Sequence, residues 1–166
     1  MHVLRIGVLT CSDTRSAGTA EDTSGKAIVE ICTAHGWTVD AYHIVPDDAE
    51  AIGSAIVEMC DVDKVDIVLT TGGTGLSPRD VCPETMLANA DREVPGIGEA
   101  IRAASLLITG RAMLSRATAA QRGLTLIVNL PGSEKAVRES LAVVVDQLAH
   151  AVDMMAGGGH GHGGNA

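Results

Sequence analysis

Chemistry is most concentrated in Thr71-Gly72-Gly73-Thr74-Gly75 and in Asp80, five residues further on. Three glycines in four positions remove side chains and permit positive φ, so backbone N–H groups can converge on an anion beside threonine hydroxyls. Asp80 would repel a phosphate held there unless a cation lay between them. Glycines plus a carboxylate fit a nucleotide with Mg²⁺; a tight turn whose glycines serve geometry alone is the competing reading. Two better-known loops are excluded. A P-loop closes on Lys followed by Ser or Thr, where Leu76-Ser77 stand, and a dinucleotide fingerprint needs a glycine where Pro78 stands.

Other residues gain meaning from their places. Asp47 follows Val45-Pro46 at the end of a β-rich run, as a ligand carboxylate or as the cap of the next helix. Asp80 has its own local alternative, an Asx bond closing a turn. Arg79, Arg111 and Arg116 are candidates to neutralise phosphate charge, or they form surface pairs of little energetic consequence.

The elements that must position these residues alternate. Strands are expected at 3–10, 38–45, 67–69 and 124–129. Helices are expected at 24–35, after Asp48 (with Ile52, Ile56, Met59 and Cys60 inward), at 84–91, at 97–107 and at 134–155. Residues 93–96 read as a turn, and 109–122 carry no clear period. The last helix bears a stripe of Val137, Leu141, Val144, Leu148, Val152 and Met155. This order predicts an α/β fold of three layers, α/β/α, around a mostly parallel doubly wound sheet. In such sheets ligands bind at the strand C-termini, where the glycine loop would lie.

Composition narrows the function classes. The 166 residues are 46% apolar with no run long enough to span a bilayer, and the N-terminus has no signal-peptide core, so a cytoplasmic protein without membrane contact is expected. A net charge of −9, one Trp, one Tyr and no Phe argue against nucleic acid. Thirteen acidic and five basic residues fall within 1–83, so the charge is concentrated in the first half. Four scattered cysteines read as reduced thiols, mostly in the core. One domain at 1–155 is expected, followed by a disordered Gly/His-rich tail at 156–166 in which His160 and His162 make only an adventitious metal site.

Taken together the motifs resemble the MogA/MoaB family, which includes the gephyrin and plant Cnx-type G domains. The resemblance covers about residues 4–155. It rests on Leu9-Thr10-Cys11-Ser12-Asp13, Ser16-Ala17-Gly18, Asp22-Thr23-Ser24-Gly25 and Val45-Pro46-Asp47. It rests equally on Thr71-Gly72-Gly73-Thr74-Gly75, Arg79-Asp80-Val81-Cys82-Pro83 and Asn129-Leu130-Pro131-Gly132-Ser133.

The resemblance implies a molybdopterin-binding fold, usually a homotrimer, acting in molybdenum cofactor biosynthesis. Active members transfer AMP from Mg-ATP to the terminal phosphate of molybdopterin and release pyrophosphate; the alternative is a non-catalytic molybdopterin carrier in the same pathway. Transient contact with other proteins of that pathway is implied as well. Asp47 and Asp80 match the family's two carboxylates for Mg²⁺ and catalysis, and Ser115 matches a position close to the transferred phosphate. The backbone of Gly72, Gly73, Thr74 and Gly75 would cradle the pterin phosphate with Ser12, Asn129 and Ser133. Thr71, Met113, Pro131 and Gly132 complete the implied binding surface. Cys82 stands where threonine is frequent in the family.

Overall fold

The computed structural model describes residues 3–158. In chain order its elements are β1 (Arg5–Cys11), the single turn α1 (Asp13–Ser16), α2 (Thr23–Ala34), β2 (Thr38–Val45), α3 (Ala49–Val57) and β3 (Ile67–Thr71). There follow α4 (Cys82–Ala88), β4 (Arg92–Glu93), α5 (Pro95–Leu106), β5 (Ala119–Arg122), β6 (Thr125–Leu130) and α6 (Glu134–Met155). A π-helical turn (Glu58–Val62) prolongs α3, and a 3-10 turn (Gly110–Leu114) precedes β5.

One sheet runs in the order β2-β1-β3-β6-β5-β4, with the β2-β1, β1-β3 and β3-β6 pairings parallel and the other two antiparallel. The buried strands alternate faces, as the two-residue strand period requires. Ile6, Val8, Ile67, Leu69, Leu126 and Val128 pack with α2, α5 and α6 on one side. Leu9, Val68 and Ile127 pack with Ile52, Ile56, Met59 and Met86 on the other. The expected three layers are present. The stripe on α6 lies in the first core, except that Met155 is only partly covered.

The parallel registers bring four strand ends level. Cys11 pairs with Val45, Thr10 with Thr71, and Thr71 with Leu130. The loops that begin at Ser12, Pro46, Gly72 and Pro131 therefore leave the sheet together, which is how separate motifs become one site.

Two expectations needed correction. Residues 119–122, Ala-Ala-Gln-Arg, form a strand although their β-propensity is poor. They are held by antiparallel pairing with β6, from Ala119 opposite Val128 to Arg122 opposite Thr125, around Gly123 at φ +56°. Glu93, read as the start of a turn, instead belongs with Arg92 to a short strand, the two pairing with Ala120 and Gln121 at the sheet edge. The expected tail begins where α6 ends, and beyond Gly158 it lies outside the described residues, as do His160 and His162. Among the described residues no helix is long and apolar enough to cross a membrane.

Candidate active site at the strand C-termini

The glycine loop has the geometry its composition promised. Gly72 lies at φ +95° and Gly73 at φ +66°, and a Cβ on Gly72 would collide with the carbonyl oxygen of Cys11. The Gly72 N–H is used by Leu130 O and the Gly73 carbonyl by Cys82 N–H. Among the described residues, the N–H groups of Gly73, Thr74 and Gly75 have no acceptor in the chain. Three open donors in a turn are an anion cradle.

Thr71 is fully buried and fixes the loop's entry, donating to Pro131 O at 2.6 Å with Ser24 Oγ 3.1 Å away. Gly132 abuts Gly72, with only 3.5 Å between that Cα and the place a Gly132 Cβ would take. Ser133 accepts from Ala136 N–H and caps α6, so the helix N-terminus is close by.

The two aspartates behave differently. Asp48, not Asp47, caps α3, accepting from Ala51 N–H at 3.0 Å. Asp47 is thereby released from the helix-cap role open to it in the sequence. Its Oδ2 accepts from Asp13 N–H at 3.0 Å, while its Oδ1 is buried and has no hydrogen-bond partner. That orphan oxygen sits 3.4 Å from the position a Cβ on Gly73 would occupy. Burial raises the carboxyl above the ordinary aspartate range, and the charges of Asp13 and Asp80 add to the rise. Asp80 does close the local turn, accepting from Ser77 N–H at 2.9 Å through Oδ2. The same oxygen would lie 2.9 Å from a Cβ on Gly75.

Residues 115–116 reach the loop from the aperiodic segment. Arg116 donates its N–H to Thr74 O at 2.9 Å, Nε to Gly75 O at 2.8 Å and Nη2 to Asp80 O at 2.6 Å, and it pairs with Glu84. Its guanidinium therefore braces the loop. Ser115 lines an adjoining hollow of about 350 Å³ with Glu84, Arg102, Arg116 and Thr118. Arg79 is held by Asp13, whereas Arg111 makes no ion pair among the described residues.

Three further residues of the implied binding surface lie in different settings. Asn129 is fully buried below the loop, donating to Thr70 Oγ1 at 2.9 Å and lying against Cys82 and Met86. Met113 is 68% exposed and makes no hydrogen bond to the loop. Ser12 Oγ accepts from Arg15 N–H and caps the α1 turn at the rim.

Sequence reasoning passed over a buried network under the first loop. Asp22, 6% exposed, accepts from Thr10 Oγ1 at 2.7 Å, from Gly25 N–H and from the Tyr42 hydroxyl, and pairs with Arg15 at 3.6 Å. Arg15 goes on to Ser24 Oγ and Gly132 O. Asp22 caps α2, a local role, but its charge partner seven residues upstream and Tyr42 on β2 are brought to it only by the fold.

Comparison with known proteins decides the family. Residues 7–150 match the model of a probable molybdopterin binding domain. The chain belongs to this molybdopterin-binding family. A molybdopterin adenylyltransferase from Helicobacter pylori (strain J99) is 40% identical over 159 residues, covering 95% of this chain and 90% of that one. One from Escherichia coli (strain K12) is also 40% identical, over 92% of this chain and 79% of its own. The crystal structure of the molybdopterin biosynthesis enzyme MoaB from Thermus thermophilus superposes with a TM-score of 0.88 at 44% identity, covering 93% and 98% of the two chains.

Asp47 and Asp80 also suit a divalent cation on physical grounds. Hard cations of this kind use one or two carboxylates together with substrate phosphates and water. A buried carboxylate oxygen without a donor, with a second carboxylate raising its pKa, is the donor set such an ion would relieve. Among the described residues there is no group of three or more His, Cys, Asp or Glu able to hold a metal by themselves, so phosphate oxygens would have to complete the shell.

Proposed function

We propose that the chain is a molybdopterin adenylyltransferase, joining AMP from ATP to the terminal phosphate of molybdopterin with release of pyrophosphate. The single observation that carries this is the orphan Oδ1 of Asp47 facing a cradle of unused backbone N–H groups. The N–H groups of Gly73, Thr74 and Gly75 hold the pterin phosphate, with the N-terminus of α6 alongside. An oxygen of that phosphate attacks the α-phosphorus of ATP, and the bond from this phosphorus to the bridging oxygen breaks. A phosphate monoester is already largely ionised at neutral pH, its second pKa being about 6, so no general base is required.

Asp47 and Asp80 are thereby free to hold Mg²⁺, Asp47 through Oδ1. The ion would supply charge neutralisation at the triphosphate and at the departing pyrophosphate. The residues contribute positioning, the other main source of rate in this chemistry. Thr71, Pro131 and Gly132 fix the cradle, Asn129 supports it from below, and Ser115, beside Arg116, approaches from the hollow. Arg111 is the cation left available for the polyphosphate.

The reading extends to assembly and place. Leu106, Leu107, Ile108 and Leu114 expose apolar surface at the end of α5 and on the turn that follows, Leu107 at 90%. A second copy of this chain, within a closed trimer, is the proposed cover. The reaction belongs in the cytoplasm, where reduced cysteines are stable.

The test is pyrophosphate release from Mg-ATP with and without molybdopterin, on wild type and on Asp80→Asn. Release that needs the pterin and collapses in the variant supports the transferase. Tight pterin binding with no release in the wild type leaves a carrier.

A further inference from the structure

We infer that Asp13 is a positioning residue for the metal-binding carboxylate, aiming Asp47 Oδ1 at the glycine loop while Arg79 holds Asp13 in place. The inference rests on the metal role proposed for Asp47. Two hydrogen bonds join the aspartates reciprocally: Asp13 N–H donates to Asp47 Oδ2, and Asp47 N–H donates to Asp13 Oδ1, each at 3.0 Å. The first immobilises one carboxylate oxygen of Asp47, so that the other is the one presented. The second fixes the backbone from which the Asp47 side chain springs.

Asp13 is itself clamped. Arg79 donates Nε to Asp13 Oδ2 at 3.0 Å and Nη2 to Asp13 Oδ1 at 2.8 Å, a two-pronged pair whose planar fork sets direction as well as distance. Arg79 precedes Asp80 in the chain. One ion pair and two hydrogen bonds thus link the loops after β1, β2 and β3 around the two proposed metal ligands.

Simpler roles do not account for the arrangement. Ser12 caps α1 and Asp48 caps α3, so neither helix end uses the Asp13 carboxylate. The Asp13–Arg79 pair is exposed, and exposed pairs contribute little to stability. Its effect is directional. It removes rotamer freedom from the carboxylate that holds the Asp47 backbone.

The experiment compares wild type, Asp13→Ala, Asp13→Asn, Arg79→Gln and Asp47→Asn as full chains. Binding of Mn²⁺–ATP is read by enhancement of water-proton relaxation, and pterin-dependent pyrophosphate release is followed against Mg²⁺ concentration. Asp13→Ala is expected to weaken Mn²⁺–ATP binding about tenfold and to raise the Mg²⁺ concentration for half-maximal release by a similar factor, with kcat at saturating Mg²⁺ largely kept. Asp13→Asn retains an oxygen for the Asp47 N–H and should recover part of that loss. Arg79→Gln, which leaves the turn itself intact, should weaken binding several-fold and covers the case in which Asp13→Ala fails to fold. Unchanged Mn²⁺–ATP binding in folded Asp13→Ala or in Arg79→Gln overturns the inference, provided Asp47→Asn abolishes binding. If Asp47→Asn also binds normally, the metal site itself is wrong.

Discussion

Cys11 and Cys82 meet sulfur to sulfur, 3.8 Å apart, under the glycine loop. The carbonyl of Cys11 faces Gly72, and the Cβ of Cys82 lies 3.0 Å from where a Gly73 Cβ would be. All four cysteines are buried. The hydrogen bond with Cys82 and burial both raise Cys11, and burial pushes Cys32 up to about 12 and Cys60 to about 11; the same hydrogen bond lowers Cys82, but that thiol is fully buried and closed to reagent. Thiolate is the reactive species, so the native protein should show no fast-reacting thiol toward an aromatic disulfide reagent and four after denaturation. A thiol that reacts rapidly in the native state would contradict this packing.

Gly72 and Gly75 should fail differently when a methyl group is added. Gly72→Ala forces a positive φ and a clash with backbone, costing about 2 kcal/mol or more, which is roughly 4–8 °C in Tm for a chain of this size. Gly75→Ala meets only the Asp80 carboxylate, 2.9 Å away, which can swing aside. Its Tm should stay within about 2 °C of wild type while pyrophosphate release falls at least tenfold. Calorimetry with the release assay separates the two; equal Tm losses would show that the loop does not discriminate between these positions.

Asp47→Asn should raise stability while abolishing release. Burial lifts the folded-state pKa of Asp47 above its unfolded value, so the ionised side chain opposes folding at neutral pH. For a raised carboxyl, the favourable contribution is present below the unfolded pKa and is lost as pH rises through the folded one. Replacing the charge should therefore add about 2 °C to Tm at pH 7, with the gain shrinking toward zero in acid. A lower Tm at pH 7 would mean that the orphan oxygen is not an electrostatic cost.

Tyr42→Phe tests the buried network from the opposite sign. Burial favours the neutral form of Asp22, but the hydrogen bonds from Tyr42, Thr10 and Gly25 and the charge of Arg15 outweigh it and hold the pKa below the ordinary value. That stabilisation is present above the unfolded pKa and fades as pH falls through the folded one. Removing the hydroxyl should cost about 1–3 kcal/mol at pH 7, and the difference from wild type should narrow below about pH 4. Urea titrations at both pH values give the comparison; a pH-independent gap would assign the loss to packing.

Leu107→Glu addresses the proposed trimer. Leu107 is 90% exposed, so the substitution would be nearly neutral in an isolated chain. Light scattering on the eluting species should show wild type at three times the chain mass and the variant at one. A wild-type monomer, or a variant that stays trimeric, removes this face from the interface.

Much of the molecule was legible because its signals are local. The positive φ of Gly72 and Gly73, the cap at Ser133 and the two-sided burial of Ile67, Val68 and Leu69 follow from residue type and immediate neighbours. The strand at Ala119–Arg122 was not legible, since its own side chains do not favour it and β6 supplies its partners. For Asn129 the resemblance implied a part in holding the pterin phosphate, but not where its side chain lies. Its side of the strand turns it into the core against Thr70 and Cys82.

By itself the sequence determined the order of the four parallel strands and the longer helices, and the glycine loop with its positive φ, because φ freedom, apolar period and capping act over a few residues. Only the tertiary structure decided which aspartate is free to bind. Asp47 and Asp48 are adjacent and chemically identical, and either fits a helix cap. Asp48 takes the cap, while Asp47 is met by Asp13, 34 residues away in the chain. Parallel strand register brings those two loops together, and no local pattern encodes a contact that depends on where separate strands end.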